Sequence, residues 1–155
     1  MSLRRQRGFS LIELLIVVAI ILIIASIALP NMMRARIAAQ EASAVHTLRT
    51  IITAETTYTT SYPACGYVGL DALAGDGSGP GASGILDNAF PDRAGYHFEV
   101  TLLGTGGSCG VTSGGSYKIE ASPTGQARRY YYGDPTAQIH FKDGAAASVG
   151  DPIIQ

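Results

Sequence analysis

Sixteen consecutive residues, Leu14 to Leu29, read LLIVVAIILIIASIAL, with no charge and with Ser26 as the only hydroxyl. Counted from Phe9 the stretch is 21 residues, about 32 Å as an α-helix, enough to cross a hydrocarbon core of about 30 Å. Arg4, Arg5 and Arg7 flank it on one side only. Because basic residues stay on the cytoplasmic side, the N-terminus is expected inside and the remaining chain outside. A secretory signal peptide shares the basic start, but its apolar part is shorter and leads into a small-x-small cleavage site. Here Pro30, Asn31, Met32 and Met33 follow and a helical pattern resumes. The apolar segment is therefore expected to be kept.

Charge and composition bound the rest. The 155 residues carry a formal net charge of −1, and without the three leading arginines eight basic residues face twelve acidic ones. Bulk charge gives no reason to expect tight binding to nucleic acid. The length allows one modest core plus a tail. With 19 glycines and no Gly-x-y period, the domain should be loop-rich rather than collagen-like. Glu13 stands out, since a carboxylate costs about 2.5 to 3.5 kcal/mol at mid-bilayer and such groups are usually paired. The alternative is a side chain snorkelling at the membrane surface.

The segment from Arg7 to Asn31, RGFSLIELLIVVAIILIIASIALPN, resembles the processing and assembly segment of type IV prepilins, which type II secretion pseudopilins share. Its parts are a basic leader, Gly8, Phe9, a glutamate at the fifth mature position, an unbroken apolar run and Pro30. The resemblance implies that a prepilin peptidase cuts between Gly8 and Phe9 and methylates the new amino group of Phe9. An α-amino group has a pKa of about 7.7 to 8, and methylation would leave it positive. Glu13 of one subunit could then meet the Phe9 amine of a neighbour, the cost of an unpaired charge fixing axial register. Glu13 also lies one turn from its own Phe9, so an internal pair stays open. Pro30 lacks an N–H and is expected to kink or melt the helix near Ser26. Many major pilins carry a glycine inside the apolar run, whereas none occurs here between Phe9 and Leu29.

Beyond the apolar run, Ile37, Ala44, Val45, Leu48, Ile51 and Ile52 share one helical face, and Arg36, Gln40, Ser43 and Thr47 share another. This amphipathic stretch should continue the membrane segment as one helix of about fifty residues and about 78 Å. The threonines between Thr53 and Thr60 suggest a frayed end, and Pro63 a stop. Eight glycines occur from Pro63 to Gly95 inclusive, an irregular connection with one short helix expected at Ile85–Phe90. Alternation then places Tyr96, Phe98, Val100 and Leu102 on one side of a strand, with Tyr117, Ile119 and Ala121, and Ala137, Ile139 and Phe141, as equivalents. Arg129 to Tyr132 adds a further strand, joined to the last by a hairpin at Gly133–Thr136.

The expected class is α+β, a long helix packed on an antiparallel sheet of about four strands. The segments would be a leader (1–8), an assembly helix (9–30), an amphipathic helix (31–62), a Gly-rich connection (63–95) and a sheet with its tail (96–155). The stretch from Tyr117 to Phe141 resembles the final strands of bacterial type IVa pilins, so a pilin fold is implied. Cys65 and Cys109 both lie outside the membrane in this topology, where disulfides persist. They are expected to bond to each other, free thiols being the alternative.

Chemistry of other kinds finds little support. Gly106–Gly110 fits G-x-S-x-G, but that pattern needs a strand, a sharp turn and a helix, and here it falls in a Gly-rich loop. His46 lies on the amphipathic helix, and His97 and His140 on polar strand faces, all expected at the surface. Asp76 in GDGSG lacks the alternating acidic ligands of a calcium loop. No catalytic residue, metal or cofactor is called for. Arg128, Arg129 and Tyr130–Tyr132 combine charge with aromatics in a way that could suit DNA, but two arginines are a weak signal and an edge or packed strand with solvated arginines is the plainer reading.

The resulting expectation is a structural subunit of a type IV pilus, a helical homo-oligomer built for adhesion, twitching motility or DNA uptake. Implied partners are the prepilin peptidase, the inner-membrane platform and its ATPase, an outer-membrane channel, and the inner membrane before assembly. A pseudopilin or minor pilin is the alternative within the class. A membrane-anchored module that captures DNA or ligand without polymerising is the alternative outside it.

Overall fold

The computed structural model describes residues 9–87 and 91–154. The leader, with Gly8, lies outside them, as does the second half of the helix expected at Ile85–Phe90; Ile85 to Asp87 are not helical.

Helix α1 spans Leu11–Ser61, 51 residues. It passes through Pro30 unbroken, so of the two expectations near Ser26, a kink or local melting, melting is absent. Proline costs the helix one hydrogen bond, but its φ is helical. The hydroxyl of Ser26 donates to the Ile23 carbonyl at 2.8 Å. The threonine-rich end does not fray either. Thr53, Thr57 and Thr60 each donate their hydroxyl to the carbonyl four residues back, at 2.8 to 2.9 Å, so these side chains satisfy themselves on the helix. Tyr58 is buried and its hydroxyl donates to the Pro80 carbonyl at 2.8 Å, fastening the helix end to the connection.

The chain divides into two compact units, one ending at Ile37 and the other starting at Ala38. In the first, the large apolar side chains of α1 from Leu11 to Met33 are exposed, Leu11 at 81% and Leu29 at 62%. The second is the helix-on-sheet body. Ala44, Leu48, Ile51, Ile52, Ala54 and Tyr58 are buried along α1, a face with the 3.6-residue period of an amphipathic helix. Thr47, expected on the polar face, is buried at 2% exposure with its hydroxyl bonded to the Ser43 carbonyl. That internal bond is what allows a hydroxyl into the core.

The sheet comprises β2 (Asp92–Arg93), β3 (Tyr96–Leu103), β5 (Ser116–Pro123), β6 (Arg129–Gly133) and β7 (Ile139–Asp143), all antiparallel in that order. A separate two-stranded ribbon pairs β1 (Tyr67–Val68) with β4 (Ser113–Gly114). The short helix α2 (Leu70–Leu73) follows β1. The count therefore exceeds the four strands expected, because two-residue strands are too short to show alternation. Strand β2 sits inside the Gly-rich connection and turns back through Ala94 and Gly95, both with positive φ. Alternation read the long strands well. Tyr96, Phe98, Tyr117, Ile119, Ala121, Tyr131 and Ile139 are buried. Ala137 is not in a strand; with φ of 61° it belongs to the turn before β7. Gly133 brings the sheet close to the helix, since a Cβ there would lie 3.2 Å from Ile52 Cδ1.

Cys65 and Cys109 form a disulfide that closes a separation of 44 residues. Beside it the Gly107 amide donates to the Cys65 carbonyl at 2.7 Å. No side chain fits at Gly107, where a Cβ would meet the Ala64 carbonyl oxygen at 1.6 Å.

Leu48→Ala should lower stability by about 3 kcal/mol, the cost of a buried cavity, whereas exposed Thr53→Ala should stay within about 0.5 kcal/mol; denaturant melts of both check this. Reduction of the disulfide should cost about 4 kcal/mol on the chain-entropy account, measured as the difference between melts with and without reductant.

Candidate processing and assembly segment

The start of α1 is built by Ser10-Leu11-Ile12-Glu13. Glu13 Oε2 accepts the Ser10 backbone N–H at 2.9 Å, and Leu14 N–H donates to the Ser10 carbonyl at 3.3 Å. This is the returning half of a capping box, in which the glutamate at the third helical position satisfies the N–H of the capping residue. The S-x-x-E spacing is visible in the sequence as a helix-start signal. The carboxylate also sits where the helix dipole is positive. Phe9 is next in the chain, exposed and free of the helix. Pro30 lies inside α1. Among the described residues, α1 holds a stretch long and apolar enough to cross a membrane, with none of that window buried.

The loop Gly106–Gly110 carries one half of the disulfide, Cys109, and leads into β4. The helix required after a nucleophilic serine does not follow. The arginine–tyrosine cluster is a packed strand. Arg129 Nη1 lies 3.3 Å from Glu41 Oε2 and its Nε 3.3 Å from Asp143 Oδ1. The guanidinium also stands 5.3 Å from the Phe141 ring centre, a cation–π distance. Glu41 foremost raises its pKa further. Tyr131 is buried, and the Tyr96 hydroxyl donates to the Arg129 carbonyl at 3.0 Å. A cation offset by two carboxylates has little charge left for phosphate.

The histidines differ. His46 is exposed, and His97 Nδ1 lies 2.9 Å from Asp92 Oδ1. His140, expected at the surface, is instead buried at 3% exposure, its Nδ1 2.7 Å from the Asp151 carbonyl oxygen. The cause is the C-terminal tail, which folds along β7 through Phe141 N–H to the Pro152 carbonyl and Ile154 N–H to the Ile139 carbonyl. Alternation identifies a strand's face but not what covers it. Asp76 Oδ1 accepts the Ser78 N–H at 3.0 Å, a local turn, and these bonds hold its carboxyl below the usual range.

One residue of consequence escaped the sequence reading. Glu55 is fully buried on the core face of α1, its Oε2 accepting the Val68 N–H at 3.2 Å. Burial pushes its carboxyl up to about 7, partly offset by that N–H. Its position three and four residues beyond Ile52 and Ile51 marks it as core-facing on a helical wheel.

Comparison with known proteins agrees with the N-terminal geometry. The family model described as the prokaryotic N-terminal methylation motif matches residues 3–29. A curated relative, the type IV major pilin protein PilA of Myxococcus xanthus (strain DK1622), is 44% identical over 54 residues, 35% of this chain. That stretch spans only about a quarter, 24%, of the relative's length. No solved structure matches the chain. A methylation motif set on an exposed apolar helix makes the N-terminal third of this chain similar to type IV prepilins.

Proposed function

We propose that the chain is a subunit of a type IV pilus, cleaved between Gly8 and Phe9, methylated on Phe9, and polymerised through α1 for adhesion, twitching motility or DNA uptake. The observation that carries this reading is the exposure of every large apolar side chain from Phe9 to Met33 together with Glu13 at the helix start. Such a helix is stable in a bilayer but not in water. Leaving the membrane requires another apolar cover, and further copies of the same helix supply one.

Glu13 gives that assembly its register. In the precursor its carboxylate is occupied by the Ser10 N–H. Cleavage would create a cation at Phe9, one residue away, and a charged partner binds a carboxylate more strongly than an amide does. Whether the amine belongs to the same chain or to the next, the carboxylate marks one axial position. The prepilin peptidase, the inner-membrane platform with its ATPase and an outer-membrane channel are the partners this reading requires. With Arg129 offset by Glu41 and Asp143, the DNA-capture alternative is left with Arg128, exposed beside it, and a single cation is a weak phosphate site.

The test joins electron microscopy of sheared surface fibres with mass spectrometry of the N-terminal peptide. Long fibres made mainly of a chain beginning at methylated Phe9 are expected. Processed chain confined to the envelope would favour a pseudopilin, and an uncut N-terminus would overturn the reading. Glu13→Gln keeps an acceptor for the Ser10 N–H but removes the charge. It should insert normally yet lose about tenfold or more in fibre yield, equivalent to about 1.4 kcal/mol. Fibre yield equal to wild type would show that capping, not charge, is what Glu13 contributes.

A further inference from the structure

We propose that Glu55 is a pH-operated latch that, in its neutral form, holds the β1–β4 ribbon against α1 and, once ionised, lets the ribbon swing free. The inference concerns the body from Ala38 onward and does not depend on the proposed pilus role.

The geometry is specific. Glu55 has no exposed surface, and only one of its oxygens has a partner: Oε2 accepts the Val68 N–H, while Oε1 is buried without a hydrogen bond. Val68 is itself fully buried and belongs to β1, so this bond ties the ribbon to the helix. Among the described residues, the groups around the carboxyl offer no positive charge. Tyr58 lies on α1, one turn further on. Tyr117 comes from β5, with Tyr67 of β1 packed edge-on against it at 4.8 Å and Asp134 acting on it from beyond β6. Each of these is neutral or acidic, so ionising Glu55 places a negative charge in a dry site with one amide donor. A buried charge so poorly matched is relieved by admitting water, and the element easiest to move is a two-residue ribbon.

The ribbon's remaining ties limit how far it moves. The Cys65–Cys109 disulfide, the Gly107 N–H to the Cys65 carbonyl and the Gly106 N–H to the Ser113 carbonyl hold it to its own loop. None of these responds to pH. The burial of Glu55 beneath Val68 is the tie that does: the Val68 N–H favours the ionised carboxylate, but the loss of water around the charge outweighs it.

Burial raises the Glu55 pKa in the closed form from 4.5 to about 7, which fixes the sign. The latch holds fully below about 4.5 and is lost as pH rises through about 7. Between those values the opening constant should rise tenfold per pH unit, about 300-fold in all, and then level off.

The experiment uses the full chain in detergent micelles with the disulfide intact. The Glu55 side-chain carbon is titrated by NMR while amide exchange of Val68 is followed from pH 5 to 9, corrected for base catalysis. Ile119 in the centre of β5 serves as the reference for global unfolding. The expected result is a Glu55 midpoint near 7 and Val68 protection that falls with the predicted slope to a plateau while staying well below that of Ile119, whose protection falls alongside because global unfolding also exposes Glu55. Glu55→Gln, neutral at every pH, should hold Val68 protection flat. A Glu55 midpoint below 5, a Val68 amide indifferent to Glu55 titration, or Val68 protection equal to that of Ile119 would each overturn the proposal. So would Glu55→Gln retaining the slope, and the wild-type titration decides the question even if that variant does not fold.

Discussion

The structure depends on one constraint, that a backbone carried through sixteen uncharged residues must satisfy its own hydrogen bonds. Helix α1 meets it, and the same helix then supplies the core of the body from Ala44 to Tyr58. One element thus serves two solvents. Its first part is apolar around the whole circumference, as a bilayer demands. Its second part buries a single face, onto which Tyr96, Phe98, Tyr117 and Ile119 pack.

The connection between helix and sheet is held by points rather than by extended pairing. The strands β1, β2 and β4 are two residues each, too short to be stable alone. Their positions are fixed by the disulfide, by the Tyr58 hydroxyl on the Pro80 carbonyl, by backbone that tolerates only glycine at Gly107, and by Glu55 on the Val68 amide. Most of these ties are insensitive to conditions. Glu55 is the exception, because a carboxyl without a cation is comfortable only while it keeps its proton.

Carboxylates serve three different purposes in this chain, and environment decides which. Glu13, exposed at a helix start, caps an amide and leaves its charge available. Glu41 and Asp143 spend theirs on Arg129, turning what looks like a nucleic-acid motif into a fastening between α1 and the sheet. Glu55, deprived of water and of any cation, is the residue whose charge the fold resists.

Much of this was legible in the sequence. The apolar run with its one-sided arginines called for a helix long and apolar enough to cross a membrane, because transfer free energy and backbone hydrogen bonding act locally along the chain. Alternation placed the long strands, and the export topology paired Cys65 with Cys109. What only tertiary structure decided were matters of cover and partnership. His140 is buried because the tail lies over β7, Thr47 enters the core because its hydroxyl turns back on the helix, and Glu55 loses water because β1 and β5 close over it. Burial of a side chain depends on residues distant in sequence, and periodicity within one element carries no record of them.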